Sequence, residues 1–414
     1  MNFIVKPTSF LCNMVCKYCF YLEKADFMTK ENNTTHFMQN KNLYQFMEKR
    51  ISYCQDKNIT FIWQGGEPLL IGIDFYKRAI EYGKILAKKF NKNIYHSIQT
   101  NGTLINDEWA KFFHDEQILI GLSIDGDEEL HNLYRKMKDN SSSFTKVLNA
   151  IKLMQQYNVE FNTLTVVNNI NVKYPLRIYN FLKSLNIRFM QFIPVVEMDK
   201  NTNVNYMPSW MEQNNVNLAE FSVNPLEYGN FINTIFDEWI RHDITNISIR
   251  LFDALLQHFA GQSTSLCVFM SQCGGENMVL EADGTIYQCD HFVYPDSKYR
   301  LGNILNLDHT HLQNAINNWS KNKQNLSLEC KQCSWLPLCN GGCPKHRFVK
   351  SDLNEKEYKS YFCPAYKSIF EHITPGMNLI LEFMERKIPW EYLPAAIDKM
   401  YIEIIHNKIF YKKC

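Results

Sequence analysis

The stretch C-N-M-V-C-K-Y-C, from Cys12 to Cys19, decides the fold, and Phe20 and Tyr21 follow it directly. Its three thiols (Cys12, Cys16 and Cys19) have the spacing C-x3-C-x2-C on one short loop, which suits three irons of a [4Fe–4S] cube. The fourth iron then has no protein ligand. Such an iron can chelate a small molecule and pass an electron into it, so the loop predicts a redox centre. A zinc knuckle without its fourth ligand and disulfide half-sites are the alternatives.

The composition is that of a globular protein with room for several domains. The chain has 414 residues, of which 45% are hydrophobic, and length alone suggests two or three domains. Lys and Arg number 44 and Asp and Glu 43, which predicts neither nucleic-acid nor membrane binding. Thirteen cysteines in a chain of this size favour metal binding over a disulfide scaffold. We see no signal peptide and no membrane-spanning run, and we therefore predict a cytoplasmic protein.

Short apolar strands alternate with longer amphipathic segments over the first 200 residues, the pattern of βα units around a parallel sheet. Helical spacing marks the stretches from Phe75 to Phe90 and from Phe144 to Tyr157. Six strands are predicted, over Phe3–Val5, Ile59–Trp63, Tyr95–Ile98, Ile118–Ile124, Glu160–Val167 and Arg188–Ile193. The glycine-rich and polar motifs follow strand ends, and the βα loops of a parallel barrel meet at that edge. Six strands predict an α/β fold, an open partial (β/α)6 TIM-like barrel whose gap admits a large substrate.

The second half of the chain has a different character. The stretch from Val196 to Pro208 is polar and predicts a solvated insertion, and Pro225 to Asp243 predicts an amphipathic helix. Asp283-Gly284 predicts a tight turn between two short strands, Met278–Leu280 and Ile286–Tyr287. The predicted domains are a barrel (1–200), a connecting helical region (201–266), a cysteine-rich domain (267–365) and C-terminal helices (366–414).

Eight cysteines of the cysteine-rich domain suffice for two fully ligated [4Fe–4S] clusters, which need four each. Structural zinc in sites of four thiolates remains an alternative. We interpret two further cysteines, Cys54 and Cys414, as free thiols. The eight are Cys267, Cys273, Cys289, Cys330, Cys333, Cys339, Cys343 and Cys363.

The cysteine loop, with its aromatic residue before the last cysteine, resembles the radical S-adenosylmethionine superfamily, and the later cysteines resemble its SPASM extension. The match narrows to the anaerobic sulfatase-maturating enzymes, from about residue 3 to the middle 360s. The motifs that carry it are C-N-M-V-C-K-Y-C-F-Y-L, F-I-W-Q-G-G-E-P-L-L, S-I-Q-T-N-G-T-L-I, G-L-S-I-D-G, Y-Q-C-D-H-F-V-Y-P and L-C-N-G-G-C-P-K-H-R-F. Residues 376–414 lie beyond this resemblance.

The resemblance implies S-adenosylmethionine and three [4Fe–4S] clusters as cofactors. It assigns Cys343 with Cys267, Cys273 and Cys289 to one auxiliary cluster, and Cys330, Cys333, Cys339 and Cys363 to the other. It implies that the loop Gly65-Gly66-Glu67 binds the methionyl group, where two glycines allow close backbone approach and the carboxylate takes the ammonium. A loop with a helix-starting proline is the alternative. Contacts to the ribose and carboxylate of S-adenosylmethionine fall on Ser123, Asp125 and Arg135, with helix caps and surface pairs as alternatives.

By the same resemblance Asp290 is the base and Tyr21 lies beside the substrate. The implied reaction oxidises Cβ of a serine or cysteine in a sulfatase peptide and yields Cα-formylglycine. The implied partners are a sulfatase polypeptide or peptide and an electron donor such as flavodoxin or ferredoxin. Two alternatives stay open: a SPASM-type maturase that crosslinks or epimerises a ribosomal peptide, and a non-enzymatic electron-transfer or zinc protein.

Overall fold

The computed structural model describes residues 2–25, 37–199, 217–273, 277–294, 296–306, 308–400 and 402. Most of the predicted insertion from Val196 to Pro208 therefore lies outside the described residues, and so does Cys414. The chain forms two compact units. The first comprises Met1–Thr165, Glu197–Phe221 and Ser271–Asn325, and the second comprises Val166–Val196, Ser222–Met270 and Leu326–Cys414.

The strands of the described residues are numbered in chain order. They are β1 (Asn2–Val5), β2 (Asn58–Trp63), β3 (Asn93–Thr100), β4 (Leu119–Ser123), β5 (Phe161–Val167), β6 (Phe189–Pro194), β7 (Ser248–Ile249), β8 (Asn277–Leu280), β9 (Thr285–Tyr287), β10 (Arg300–Asn303), β11 (Arg347–Lys350) and β12 (Tyr358–Ser360).

The α-helices of the described residues alternate with the first strands and then dominate the second half. They are α1 (Asn40–Tyr53), α2 (Ile73–Phe90), α3 (Asp107–Asp115), α4 (Glu128–Tyr134), α5 (Phe144–Gln156), α6 (Pro175–Ser184), α7 (Pro225–His242), α8 (Arg250–Phe259), α9 (His309–Gln324), α10 (Leu328–Lys331), α11 (Leu336–Cys339) and α12 (Cys363–Arg386). None is long and apolar enough to cross a membrane.

In the first unit a largely parallel sheet has the strand order β10-β9-β8-β1-β2-β3-β4-β5. The pairs from β1 to β5 are parallel, as expected for βα units whose strands are joined by helices. Strand β8 also pairs with β1 in parallel, from Asn2 opposite Asn277 to Val5 opposite Leu280. The hairpin of β8 and β9 therefore extends the sheet on the side of β1. Cys289, two residues after β9, packs against the same core cluster as Cys19 of the cysteine loop.

The second unit is mainly helical. Helix α7 packs against α12, where Gly229 allows a close approach, because an added Cβ would lie 3.4 Å from the Cα of Ala365. Phe252 of α8 also packs against two rings of α7, edge-on against Phe236 and tilted against Trp239. Helix α12 contains Pro375 in its interior.

The α/β prediction is confirmed, and its six strands correspond to β1–β6 with ends shifted by at most two residues. The Asp-Gly turn is also confirmed, because β8 and β9 pair antiparallel and Gly284 has φ of 87°. The predicted domain boundaries remain predictions.

Candidate functional site

The carboxyl ends of three parallel strands carry the centre of the candidate site. Lys6, Gln64 and Glu281 come directly after β1, β2 and β8. The Lys6 N–H donates to the carbonyl of Leu280 at 2.9 Å, and the Gln64 N–H donates to that of Val5 at 3.0 Å. The parallel ladders thus continue one residue beyond the strands. They hold these three polar residues at one edge, where βα loops converge.

The three cysteines of the first motif lie half-buried on the loop after β1 and are not in disulfides. Burial raises the pKa of Cys12 to about 12 and that of Cys16 to about 11, and Arg135 opposes the shift at Cys16. The Arg135 Nε is buried with no hydrogen-bond partner among the described residues. Buried thiolates need positive charge beside them, which bound iron provides. The loop therefore fits a cluster held by Cys12, Cys16 and Cys19.

The cysteine loop is anchored on two sides by hydrogen bonds. The N–H of Val15 donates to the carbonyl of Lys136 at 2.8 Å. The Asn101 amide, after β3, donates to Asn13 Oδ1 at 2.8 Å, and the Asn13 amide donates to Thr103 Oγ1 at 2.8 Å. Loops from neighbouring strands therefore set the positions of the thiols.

The Gly65-Gly66-Glu67 loop lies against the same cysteine loop. The N–H of Gly66 donates to the Ser9 carbonyl at 2.7 Å, and that of Glu67 donates to the Leu11 carbonyl at 2.8 Å. A Cβ on Gly66 would lie 2.0 Å from the Leu11 carbonyl oxygen. Gly65 has φ of 138°, a conformation that glycine favours. The two glycines are needed for contact between the two loops.

Glu67 is fully buried and is already bonded within the protein. Its Oε1 accepts from the Leu69 N–H at 3.0 Å and the Thr100 hydroxyl at 2.7 Å, and its Oε2 accepts from the Asn101 N–H at 2.8 Å. Burial raises the pKa of Glu67 and these bonds oppose the rise. Pro68 starts a short 3-10 turn, as the alternative interpretation expected. A contact between the carboxylate and a methionyl ammonium stays a prediction.

Asp125 and Arg135 meet at Tyr18, the aromatic residue before the last cysteine. The Tyr18 hydroxyl donates to Asp125 Oδ2, and Arg135 Nη1 donates to the Tyr18 oxygen at 3.0 Å. All three side chains are buried, so they are not a surface pair. Arg135 is also the C-cap residue of α4, as the helix-cap alternative expected, and its N–H donates to the His131 carbonyl. Ser123 ends β4 and is half-buried.

Asp290 follows Cys289 and turns toward the edge formed by β1 and β2. Its Oδ2 accepts from the Gln64 amide at 3.4 Å and lies 4.0 Å from the Lys6 ammonium. Tyr21 is buried, and its hydroxyl donates to Glu281. The structure thus brings the two predicted catalytic residues, Asp290 and Tyr21, to one place in the first unit.

Four predicted ligands of the second unit line one cavity. The cavity is lined by Cys330, Cys333, Cys339 and Cys363 together with Glu329, Trp335, Leu336, Gly341, Ser360, Tyr366, Lys367 and Phe370. Burial raises the pKa of Cys363 to about 11. The Gly341 N–H donates to Cys339 Sγ at 3.3 Å, the kind of bond that tunes a cluster ligand.

Arg347, in the motif C-P-K-H-R-F, organises the loop between Cys339 and Cys343. Its guanidinium donates to the carbonyls of Asn340, Gly341 and Gly342 at 2.9–3.3 Å. These three residues all have positive φ, and the buried guanidinium stabilises that conformation. The geometry of this loop thus depends on Arg347, a residue that the quoted motif contains but to which the sequence analysis assigned no role.

The remaining predicted cysteines divide between the units. Cys267 and Cys343 belong to the second unit and Cys273 and Cys289 to the first, so their common cluster stays a prediction. Cys54 is buried and is not in a disulfide. No cysteine of the described residues forms a disulfide. Among those residues, no three His, Cys, Asp or Glu side chains lie close enough together to bind one metal ion. A [4Fe–4S] cube does not require such a group, because each of its thiolates binds a different iron.

Comparison with known proteins gives the class first. The model of the Radical SAM superfamily matches residues 7–182. The solved structure of native anSMEcpe with bound AdoMet and the Cp18Cys peptide matches with a TM-score of 0.78 and 32% identity, covering 92% of this chain and 99% of that one. The fold and the cysteine loop therefore define a radical S-adenosylmethionine enzyme.

Two curated relatives narrow the class. The serine-type anaerobic sulfatase-maturating enzyme of Bacteroides thetaiotaomicron is 39% identical over 96% of this chain and 94% of its own length. The cysteine-type enzyme of Clostridium perfringens (strain 13 / Type A) is 35% identical over 91% of this chain and 97% of its own. The chain belongs to the family of anaerobic sulfatase-maturating enzymes.

Lys6 and Glu281 were missed because each is a single charged residue beside an apolar strand. Their positions do carry a signal, since both directly follow parallel strands, as Gln64 does. That signal needs the pairing of β8 with β1, which the strand pattern alone does not give.

Proposed function

We propose that this chain oxidises Cβ of a serine or cysteine in the active-site motif of a sulfatase and so produces Cα-formylglycine. Sulfatase maturases of both the serine and the cysteine type are among its relatives, which supports both targets. The observation that carries the proposal is the position of Asp290, which lies beside Lys6 and Gln64 at the strand-end edge from which the cysteine loop also starts.

We assign to the site S-adenosylmethionine and a [4Fe–4S] cluster held by Cys12, Cys16 and Cys19. When bound, they supply the radical that removes a hydrogen atom from Cβ of the substrate. The two auxiliary sets predicted from the sequence bring the proposed count to three clusters. The cavity lined by four thiols in the second unit supports one of these sets.

The chain's own groups bind and orient S-adenosylmethionine in this proposal. Gly65 and Gly66 let the backbone approach the methionyl group, and Glu67 holds their loop to the end of β3 through Thr100 and Asn101. The remaining polar contacts are assigned to Ser123, Asp125 and Arg135. Of these, Asp125 and Arg135 are held in place through Tyr18.

Asp290 acts as the base. After loss of the hydrogen atom, Cβ must lose one electron, and the substrate hydroxyl or thiol must lose its proton, to give an aldehyde or a thioaldehyde. The Asp290 carboxylate accepts that proton, and an auxiliary cluster held by the predicted cysteine sets would accept the electron. A thioaldehyde from cysteine then takes up water and releases sulfide, whereas serine gives the aldehyde directly. We assign Tyr21, whose ring centre lies 4.1 Å from Lys6 Nζ, to a position beside the substrate.

The partners we propose are a sulfatase chain as substrate and flavodoxin or ferredoxin as electron donor. The location in the cytoplasm stays a prediction from the sequence.

An anaerobic turnover assay tests the function. Iron-reconstituted protein receives S-adenosylmethionine, a reductant and peptides with the pattern C-x-P-x-R or S-x-P-x-R. Mass spectrometry with a hydrazide trap then detects the aldehyde, and 5′-deoxyadenosine is measured in the same sample. Aldehyde supports the proposal, and the better peptide identifies the target residue. Deoxyadenosine without aldehyde from either peptide contradicts the sulfatase assignment and favours another peptide substrate.

We expect Asp290→Asn to lower aldehyde formation by at least about a hundredfold, the usual contribution of a positioned base, while deoxyadenosine still forms. Asp74→Asn is the control, because that carboxylate is 76% exposed on α2 and pairs only with nearby Lys77 among the described residues. Aldehyde formation by Asp290→Asn at the control rate would remove Asp290 from the role of base.

A further inference from the structure

Lys6 is a buried cation at the centre of the candidate site. Its side chain is 2% exposed, and burial lowers its pKa, while the charges of Asp290 and Glu281 oppose that shift. An ammonium in such surroundings is costly unless negative groups lie beside it. The reaction proposed above assigns no role to the charge of Lys6, although this charge lies at the centre of the candidate site.

On one side the ammonium faces the proposed base. Lys6 Nζ lies 4.0 Å from Asp290 Oδ2, the same oxygen that accepts from the Gln64 amide at 3.4 Å. The other carboxylate oxygen, Oδ1, lies 3.5 Å from Cys289 Sγ. Two groups from β1 and β2 thus act on a single oxygen of Asp290, which fixes the direction of the carboxylate.

On the other side Tyr21 and Glu281 hold the ammonium. Lys6 Nζ lies 4.1 Å from the centre of the Tyr21 ring, within the range of a cation–π contact. The Tyr21 hydroxyl donates to Glu281, whose side chain is 2% exposed. The electron-rich face of the ring and the Glu281 side chain therefore both favour the charged form of Lys6.

The backbone of Lys6 is equally fixed. Its N–H donates to the Leu280 carbonyl, and its carbonyl accepts from the Ser9 N–H at 3.2 Å. Gly65 lies above it, where an added Cβ would approach Lys6 Cδ to 3.4 Å. The side chain consequently has little freedom to leave Asp290.

We propose that Lys6 is a positioning residue for the reaction: its ammonium holds the Asp290 carboxylate where the proton of the substrate is taken up, and Tyr21 with Glu281 holds the ammonium in place. This inference rests on the proposed function.

The test is Lys6→Met, which removes the charge and keeps the length of the side chain, in the iron-reconstituted full chain. We expect kcat for aldehyde formation to fall roughly ten- to a hundredfold, as for a displaced reacting group, with KM for the peptide changed less than about twofold. Deoxyadenosine formed per aldehyde should rise by a similar factor. In the Asp290→Asn background the same substitution should add no further loss.

The matched control is Lys323→Met, which changes another buried lysine of the first unit and should leave the ratio of deoxyadenosine to aldehyde unchanged. Wild-type kcat in Lys6→Met, or a loss of both products at constant ratio, would overturn the inference. If Lys6→Met fails to retain iron, Glu281→Gln provides the same readout. We then expect a smaller rise in the ratio, and an unchanged ratio overturns the inference. Failure of the wild type to form aldehyde from sulfatase peptides would instead refute the proposed function.

Discussion

At the scale of single residues, the buried carboxylate of Glu281 in the first unit has a strongly shifted pKa. It is buried at the end of β8, and burial raises its pKa to about 7, with Lys6 opposing the rise. Because the pKa of Glu281 is higher in the folded chain than its ordinary value of 4.5, the folded chain binds the proton more tightly than the unfolded chain. Protonated Glu281 therefore contributes its full stabilisation below pH 4.5. That contribution is lost as the pH rises through 7.

We therefore expect the stability of the cluster-free chain to fall from pH 4.5 to pH 8 by roughly 3 kcal/mol more than the stability of Glu281→Gln, which does not titrate. Urea unfolding followed by far-UV circular dichroism at several pH values measures the difference. Glu108→Gln, on the exposed side of α3, is the control and should follow the wild type. Equal pH profiles for Glu281→Gln and the wild type would contradict the raised pKa.

The role of a residue can be predicted from the sequence where several residues share one motif. The spacing of Cys12, Cys16 and Cys19 is by itself enough to indicate that they share one role. The burial of Glu67 was not predictable, since its three hydrogen-bond donors come from its own loop and from β3. A carboxylate next to glycines suggests a ligand contact equally well, and only the fold distinguishes the two roles.

At the scale of elements, the contact between the loop after β2 and the cysteine loop leaves the least room for a side chain. The Gly66 and Glu67 N–H groups bond to the backbone of Ser9 and Leu11. A Cβ on Gly66 would come within 2.0 Å of backbone oxygen, which no rotamer change can relieve. Loss of both hydrogen bonds would cost about 2 kcal/mol, and the cysteine loop would have to move.

We expect Gly66→Ala to lose the iron of the first cluster, about four irons per chain, because its ligands lie on the displaced loop. Iron analysis after anaerobic reconstitution measures this loss. Gly72→Ala is the control: its φ is 90°, so it is strained by about 1–2 kcal/mol, yet no other atom lies within 4 Å of the added Cβ. Full iron content in Gly66→Ala would show that the two loops need not touch.

Strands and helices with a strong period were predictable, and pairings between distant segments were not. The Asp283-Gly284 turn predicted the hairpin of β8 and β9 because the turn chemistry is local. The parallel pairing of β8 with β1 joins segments about 275 residues apart, and no local pattern encodes it. That pairing is what brings Glu281 beside Lys6.

At the scale of the whole molecule, the positions of the cysteines divide the proposed cofactors between the two compact units. The cysteine loop lies in the first unit, and the thiol-lined cavity lies in the second. In the second unit Lys359 and Lys367 pair with Glu329 at 2.9 and 3.8 Å beside that cavity. The sequence predicted the ligand types, but four thiolates fit either zinc or an iron–sulfur cluster, so the metal needs a measurement.

We expect the reconstituted chain to hold about twelve irons, four for each of three clusters, and Cys333→Ala to hold about eight. The reason is that Cys333 lines the cavity with three other thiols, and a cube with an incomplete ligand set is lost on desalting. Cys54→Ala is the matched control, because that buried thiol lies in α1's C-cap and belongs to no predicted set. It should retain all twelve. Iron unchanged in Cys333→Ala, with about one zinc per chain lost, would assign the cavity to structural zinc and reduce the cluster count to two.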